Sequence, residues 1–133
     1  MFDWKKPTVE MLGRWQPWHD GHTELFKRAL QKTGQVCIMY RDVGGADAGV
    51  EGQSDNPFQF EEVKKNIIGG LKPHGYEEGR EYVVLKVPNI IDISYGRGVG
   101  YTFTEHDLGA EIHKISATNI RKEMRQKGEL EEK

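Results

Sequence analysis

The stretch "TVEMLGRWQPWHDGHTELFKRAL", residues 8–30, decides the fold. It opens on a short β-prone run, reaches Gly13, passes through an aromatic and polar turn, and continues with Leu25, Phe26, Ala29 and Leu30 at helical spacing. That order is a strand feeding a helix through a tight turn. Working outward, "QVCIMY" at 35–40 is a nearly continuous apolar run of strand length, as expected of a parallel strand covered on both faces. "NPFQFEEVKKNIIGGL" from Asn56 predicts a helix with Asn56 as N-cap and Pro57 at its first position. Val63, Ile67, Ile68 and Leu71 share one face, and Gly69 and Gly70 weaken the end. "EYVVLKVP" and "EIHKIS" read as two more strands, and "TNIRKEMRQKGEL" from Thr118 as a last helix. Strands alternating with helices predict one α/β domain over residues 1–133. Its expected architecture is a Rossmann-like, doubly wound parallel sheet of about five strands with helices on both faces. The glycine- and aspartate-rich segment 43–55 reads as a mobile surface loop and residues 129–133 as a frayed tail.

Composition narrows the function classes. With 19 basic and 21 acidic residues the net charge is −2, so no global field draws in nucleic acid or an anionic membrane. No apolar run approaches the ~20 residues of a bilayer span, and no leader pattern opens the chain. Cys37, the single cysteine, lies in the apolar "VCIMY" and reads as a buried structural thiol, which fits a reducing, cytoplasmic setting. Any anion site must be local.

The pair His19 and His22 admits three readings. Zinc needs three or four ligands, and neither CxxC nor HExxH occurs. Core packing suits either histidine alone better than both, because Asp20 and Gly21 separate them at a helix start. The third reading uses the helix amino terminus, where unpaired N–H groups and a partial positive charge favour an anion and Gly21 allows close approach. Two imidazoles three residues apart would then offer their N–H donors to one phosphoryl centre. Arg14, one residue past the first strand, adds a bidentate phosphate partner. In doubly wound sheets ligands bind at the carboxyl ends of the strands, where this turn sits. A second strand-to-helix junction, "ISATNIR" at 115–121, places Ser116 and Thr118 at a helix start with Arg121 one turn in.

"GRWQPWHDGH" at 13–22 together with "ISATNIR" resembles the HxGH nucleotidyltransferase superfamily, the cytidylyltransferase-like group. The spelling is most similar to the GRFQPFHxGH and ISSTxIR motifs of nicotinamide-mononucleotide adenylyltransferases of archaeal type, and "NPF" at 56–58 matches a further segment of theirs. Tryptophans stand at 15 and 18 where phenylalanines are usual, and Ala117 replaces a serine. The resemblance implies transfer of a nucleoside monophosphate from a triphosphate to the phosphate or phosphonate of a small acceptor, with pyrophosphate leaving. It implies His19, His22 and Arg121 as catalytic residues. Gly13, Arg14, Trp15, Gln16 and Gly21 would line the nucleotide, and Ser116, Thr118 and Arg121 would hold its outer phosphates. Mg²⁺ would accompany the triphosphate with no dedicated protein metal site, and a homo-oligomer fits the group.

Outside the motifs, Arg41 and Asp42 stand at the carboxyl end of the second strand and Arg97 in a glycine-rich turn. All three are expected on the acceptor side. ATP and CTP both remain open as donors. The rival from another class is a nucleotide-binding module on the same fold that performs no chemistry.

Overall fold

The computed structural model describes residues 1–42, 57–97 and 100–106. In chain order these form β1 (Val9–Gly13), α1 (Asp20–Thr33), β2 (Val36–Arg41), α2 (Phe60–Leu71), a 3-10 turn (Lys72–His74) and β3 (Tyr82–Val87). The three strands pair in parallel in the order β1-β2-β3, with Met11 opposite Ile38 and Ile38 opposite Val84. Each strand of the sequence-based expectation up to β3 is present. The expected strand at 111–116, the last helix from Thr118, the loop 43–55 and the tail 129–133 lie largely or wholly outside the described residues, so three strands rather than five are seen.

Two successive right-handed crossovers running the same way along a sheet bring both helices to the same face. Side-chain burial agrees. Met11, Val36, Ile38, Tyr40, Tyr82 and Val84 are buried together with Phe26 and Ala29 of α1 and Val63, Ile67 and Leu71 of α2. The alternate positions Leu12, Met39, Val83 and Leu85 are half-buried and Glu10 is exposed. Among the described residues, both helices pack against this face, and on the other face Cys37 is buried as well. Each fully buried aliphatic or aromatic side chain in this layer contributes about 1.5–3 kcal/mol.

Helix α1 ends on Gly34, whose φ of 86° is the left-handed value a C-cap needs, and its N–H reaches Leu30 O at 2.7 Å. The helix expected from Asn56 instead starts at Phe60, with Gln59 as an N-cap that makes no side-chain cap bond. The cause lies 42 residues away. The Gln16 side chain, 2 % exposed, accepts from Phe58 N at 2.8 Å and donates to Phe58 O at 2.9 Å. These two bonds tie Phe58 to the turn between β1 and α1, and α2 starts two residues later.

Gly69 and Gly70 do not end α2, which runs through both to Leu71. A Cβ on Gly70 would stand 2.8 Å from Trp18 Cδ1, whereas one on Gly69 would meet nothing within 4 Å. Gly70 is thus the seat of an indole, and Gly69 carries only the ordinary helical cost of glycine. Gly69→Ala should stabilise the chain by about 0.5–1 kcal/mol. Gly70→Ala should destabilise it by about 1–3 kcal/mol through overpacking. Urea unfolding of the two variants checks this, and shifts of the same sign would contradict it.

Candidate active site

The turn between β1 and α1 is built from aromatic rings. Trp15 has φ 52°, a left-handed conformation that costs a bulky residue about 1–2 kcal/mol. It is held there by Nε1 donating to Met39 O at 3.1 Å and by packing over Gly13, where a Cβ would come within 2.8 Å of Trp15 Cζ2. Trp18 donates from Nε1 to Thr23 Oγ1 at 2.8 Å and lies on Gly70. The two indoles meet at 5.1 Å.

His22 is enclosed by three rings. Trp15 stands edge-on at 4.8 Å, Trp18 is tilted at 5.3 Å, and His19 stacks nearly parallel at 3.7 Å. The pair also caps the helix. His19 is the N-cap residue and its Nδ1 accepts from Gly21 N at 3.0 Å, while His22 Nδ1 accepts from His19 N at 3.1 Å. This is the reciprocal capping box usually written with serine or threonine and glutamate or glutamine, here made by two histidines. A ring nitrogen that accepts carries no proton, so each neutral ring has its proton on Nε2. The backbone N–H groups of His19 and Gly21 are already bonded to the imidazoles. A phosphate at this helix start would therefore meet Nε2–H donors ahead of those two amides.

Electrostatics fix the same state. Burial pushes the His22 pKa down to about 3, and the neighbouring His19 pushes in the same direction. Burial also lowers the His19 pKa, against a smaller opposing pull from Asp20. Both rings are neutral at pH 7, and two imidazolium rings stacked at 3.7 Å would repel.

The other expected site residues divide into three groups. Gly13, Trp15 and Gln16 lie at the end of β1 and in the turn that follows, and each has the structural duty described above. Arg14 is half-buried beside them and Gly21 is buried at the second position of α1. Arg41 ends β2, exposed Asp42 follows it with N–H on Val87 O at 2.9 Å, and Arg97 is exposed in the segment after β3. Ser116, Thr118 and Arg121 lie outside the described residues. Trp18 packs on His22 and is itself held by Thr23, which was not singled out from the sequence, although it shares the buried face of α1 with Phe26 at i and i+3. An open depression of about 680 Å³ borders the turn, lined by Pro17, Trp18, Phe58 and the α2 face of Glu62, Lys65, Asn66 and Gly69. Neither histidine lines it. Among the described residues no three His, Cys, Asp or Glu side chains gather as a metal cage, and no helix is long and apolar enough to cross a membrane. Cys37 is buried, and burial raises its thiol pKa.

A pH dependence follows from the caps. The folded pKa of His22 is about 3 and the ordinary unfolded value is 6.5. As pH falls below 6.5 the unfolded chain takes up a proton that the folded chain refuses. The stabilisation is complete above 6.5 and is lost toward 3, at up to about 1.4 kcal/mol per pH unit. His22→Gln keeps a side-chain acceptor at the third helical position but does not titrate. Denaturant unfolding should show the variant gaining on the wild type steadily below pH 6.5 and running parallel to it above. Parallel curves at all pH values would contradict the assignment.

No family model matches the chain. Over 80 residues it is 30 % identical to the nicotinamide-nucleotide adenylyltransferase of Methanococcus aeolicus, a stretch that covers 60 % of this chain and 41 % of that protein. The chain thus matches less than half the length of this curated relative. The likeness is partial and distant, and it supports a relationship to nucleotidyltransferases.

Proposed function

We propose that this chain is a nucleotidyltransferase that moves the nucleoside monophosphate of a triphosphate, ATP in the first instance, onto the phosphate or phosphonate of a small acceptor. The observation that carries the proposal is the histidine pair, neutral, stacked at 3.7 Å and fixed by its own caps as two Nε2–H donors where β1 hands over to α1. The relative's name favours ATP as donor and a nicotinamide nucleotide as the first acceptor to try.

An acceptor oxygen attacks the α-phosphorus, a new P–O bond forms, and the bond to the β-phosphate breaks to release pyrophosphate. No enzyme nucleophile takes part, so positioning and charge stabilisation carry the rate. His19 and His22 donate from Nε2 to the α-phosphate oxygens, where charge builds in the transition state. Being neutral, they polarise without adding fixed positive charge. Arg14 supplies cationic charge at the turn, and on the motif resemblance Ser116, Thr118 and Arg121 hold the outer phosphates. Gly13, Trp15, Gln16 and Gly21 form the floor on which the nucleotide lies. Mg²⁺ arrives as part of the triphosphate substrate, held chiefly by phosphate oxygens. Arg41, Asp42 and Arg97 form the acceptor side.

The direct test is pyrophosphate release with each of the four common triphosphates crossed against phosphorylated small molecules, nicotinamide mononucleotide among them. With the productive pair, His19→Ala and His22→Ala should each lower kcat/KM by about a hundred- to a thousandfold, the loss expected for one preorganised donor. Circular dichroism should show both variants folded. Unchanged turnover in both would overturn the mechanism. Tight triphosphate binding without release for any acceptor would favour a binding module that performs no chemistry.

A further inference from the structure

Arg41 is the last residue of β2, the middle strand of the three. Tyr40 pairs with Gly13 of β1, and Arg41 itself pairs with Val87 of β3. Its backbone thus lies between the carboxyl ends of β1 and β3, and its guanidinium reaches the chain leaving β3. Nη1 donates to Ile90 O at a long 3.4 Å, and Nε is buried with no partner. Among the described residues the ion pairs are Arg28 with Glu24 and Arg80 with Glu77 and Glu81, so Arg41 has no carboxylate.

A guanidinium stays charged at any physiological pH. Burying one of its donors without an acceptor is unfavourable, more so for a charged group than for a neutral one. An oxyanion would supply the acceptor that Nε lacks. The geometry narrows which kind. With Nη1 turned to Ile90, the edge that remains carries Nε–H and one Nη2–H leaving in parallel, and this fork matches two oxygens of a single oxyanion.

We propose that Arg41 is an oxyanion-recognition residue, whose Nε/Nη2 edge takes a phosphate or carboxylate group of the acceptor in bidentate geometry. The proposal rests on the transferase reading only in identifying the anion's bearer as the acceptor; the anion site itself follows from the Arg41 geometry. Nε is buried, so an anion reaches the fork only as the side chain gives up its single long bond to Ile90 O.

The experiment measures thermal stabilisation of the full chain by inorganic phosphate and, separately, by acetate, at ionic strength matched with sodium chloride. It compares the wild type, the double variant His19→Ala/His22→Ala, Arg41→Gln and Arg41→Lys. Binding to the native state alone raises Tm by mass action. At least one anion should stabilise both the wild type and the double histidine variant. Arg41→Gln should bind it about ten- to a hundredfold more weakly. Arg41→Lys should fall well short of the wild type, because a point charge lacks the fork. A response to phosphate alone identifies a phosphate group, and a response to acetate identifies a carboxylate. Without added anion, Arg41→Gln should be at least as stable as the wild type, since it removes a buried Nε donor that has no acceptor, whereas loss of a mere tether to Ile90 would lower Tm. Wild-type affinity in Arg41→Gln, or no stabilisation of the wild type by either anion, would overturn the proposal. Pyrophosphate release separates the two readings. Anion binding that needs Arg41 in a chain releasing no pyrophosphate would sink the transferase and leave the anion site standing. Turnover with an unchanged acceptor KM in Arg41→Gln would do the reverse.

Discussion

Two hydrogen bonds between imidazole nitrogens and backbone amides organise this protein's candidate site. His19 Nδ1 takes Gly21 N–H and His22 Nδ1 takes His19 N–H, at 3.0 and 3.1 Å. A reciprocal box of this kind contributes on the order of 1 kcal/mol per cap to the start of a helix. With histidine in both roles it does more, because an accepting Nδ1 sets the tautomer of each ring. The same contacts that begin α1 therefore decide which nitrogen of each neutral ring carries the proton. Helix start and donor pair are one feature.

The surrounding frame keeps that feature rigid. Trp15 and Trp18 close on His22 from two sides, Gly13 and Gly70 give the indoles room, and Thr23 and Met39 O anchor their N–H groups. Gln16 joins the turn to the start of the second crossover by imitating a strand partner for Phe58. Changes at Gly70 or Phe58 would thus reach the histidines through packed contacts, although neither residue is a motif position of the donor pair.

Local sequence carries the strands and α1 well. The runs at 9–13, 36–41 and 82–87 are short, rich in apolar and β-prone residues, and bounded by turn signals. The departures come from contacts between distant residues. Asn56 and Pro57 have good helix-start chemistry, yet α2 begins at Phe60 because a glutamine 42 positions earlier holds Phe58. Gly69 and Gly70 look equivalent in sequence and differ only because Trp18 lies on one of them. The capping function of His19 and His22 escaped the pattern because the usual box is spelled with hydroxyl and carboxamide or carboxylate side chains. Their pairing at a helix start was still legible from spacing alone.

The donor pair depends on where the proton sits on two rings, and ¹⁵N-edited NMR of the histidine side chains reads it directly. At pH 7, His19 and His22 should both show a protonated Nε2 and an unprotonated, hydrogen-bonded Nδ1. His22 should hold that signature as the pH is lowered through the range where exposed histidines titrate. An Nδ1–H tautomer, or an imidazolium appearing at His22 near pH 6.5, would contradict the claim that the caps create the donor pair.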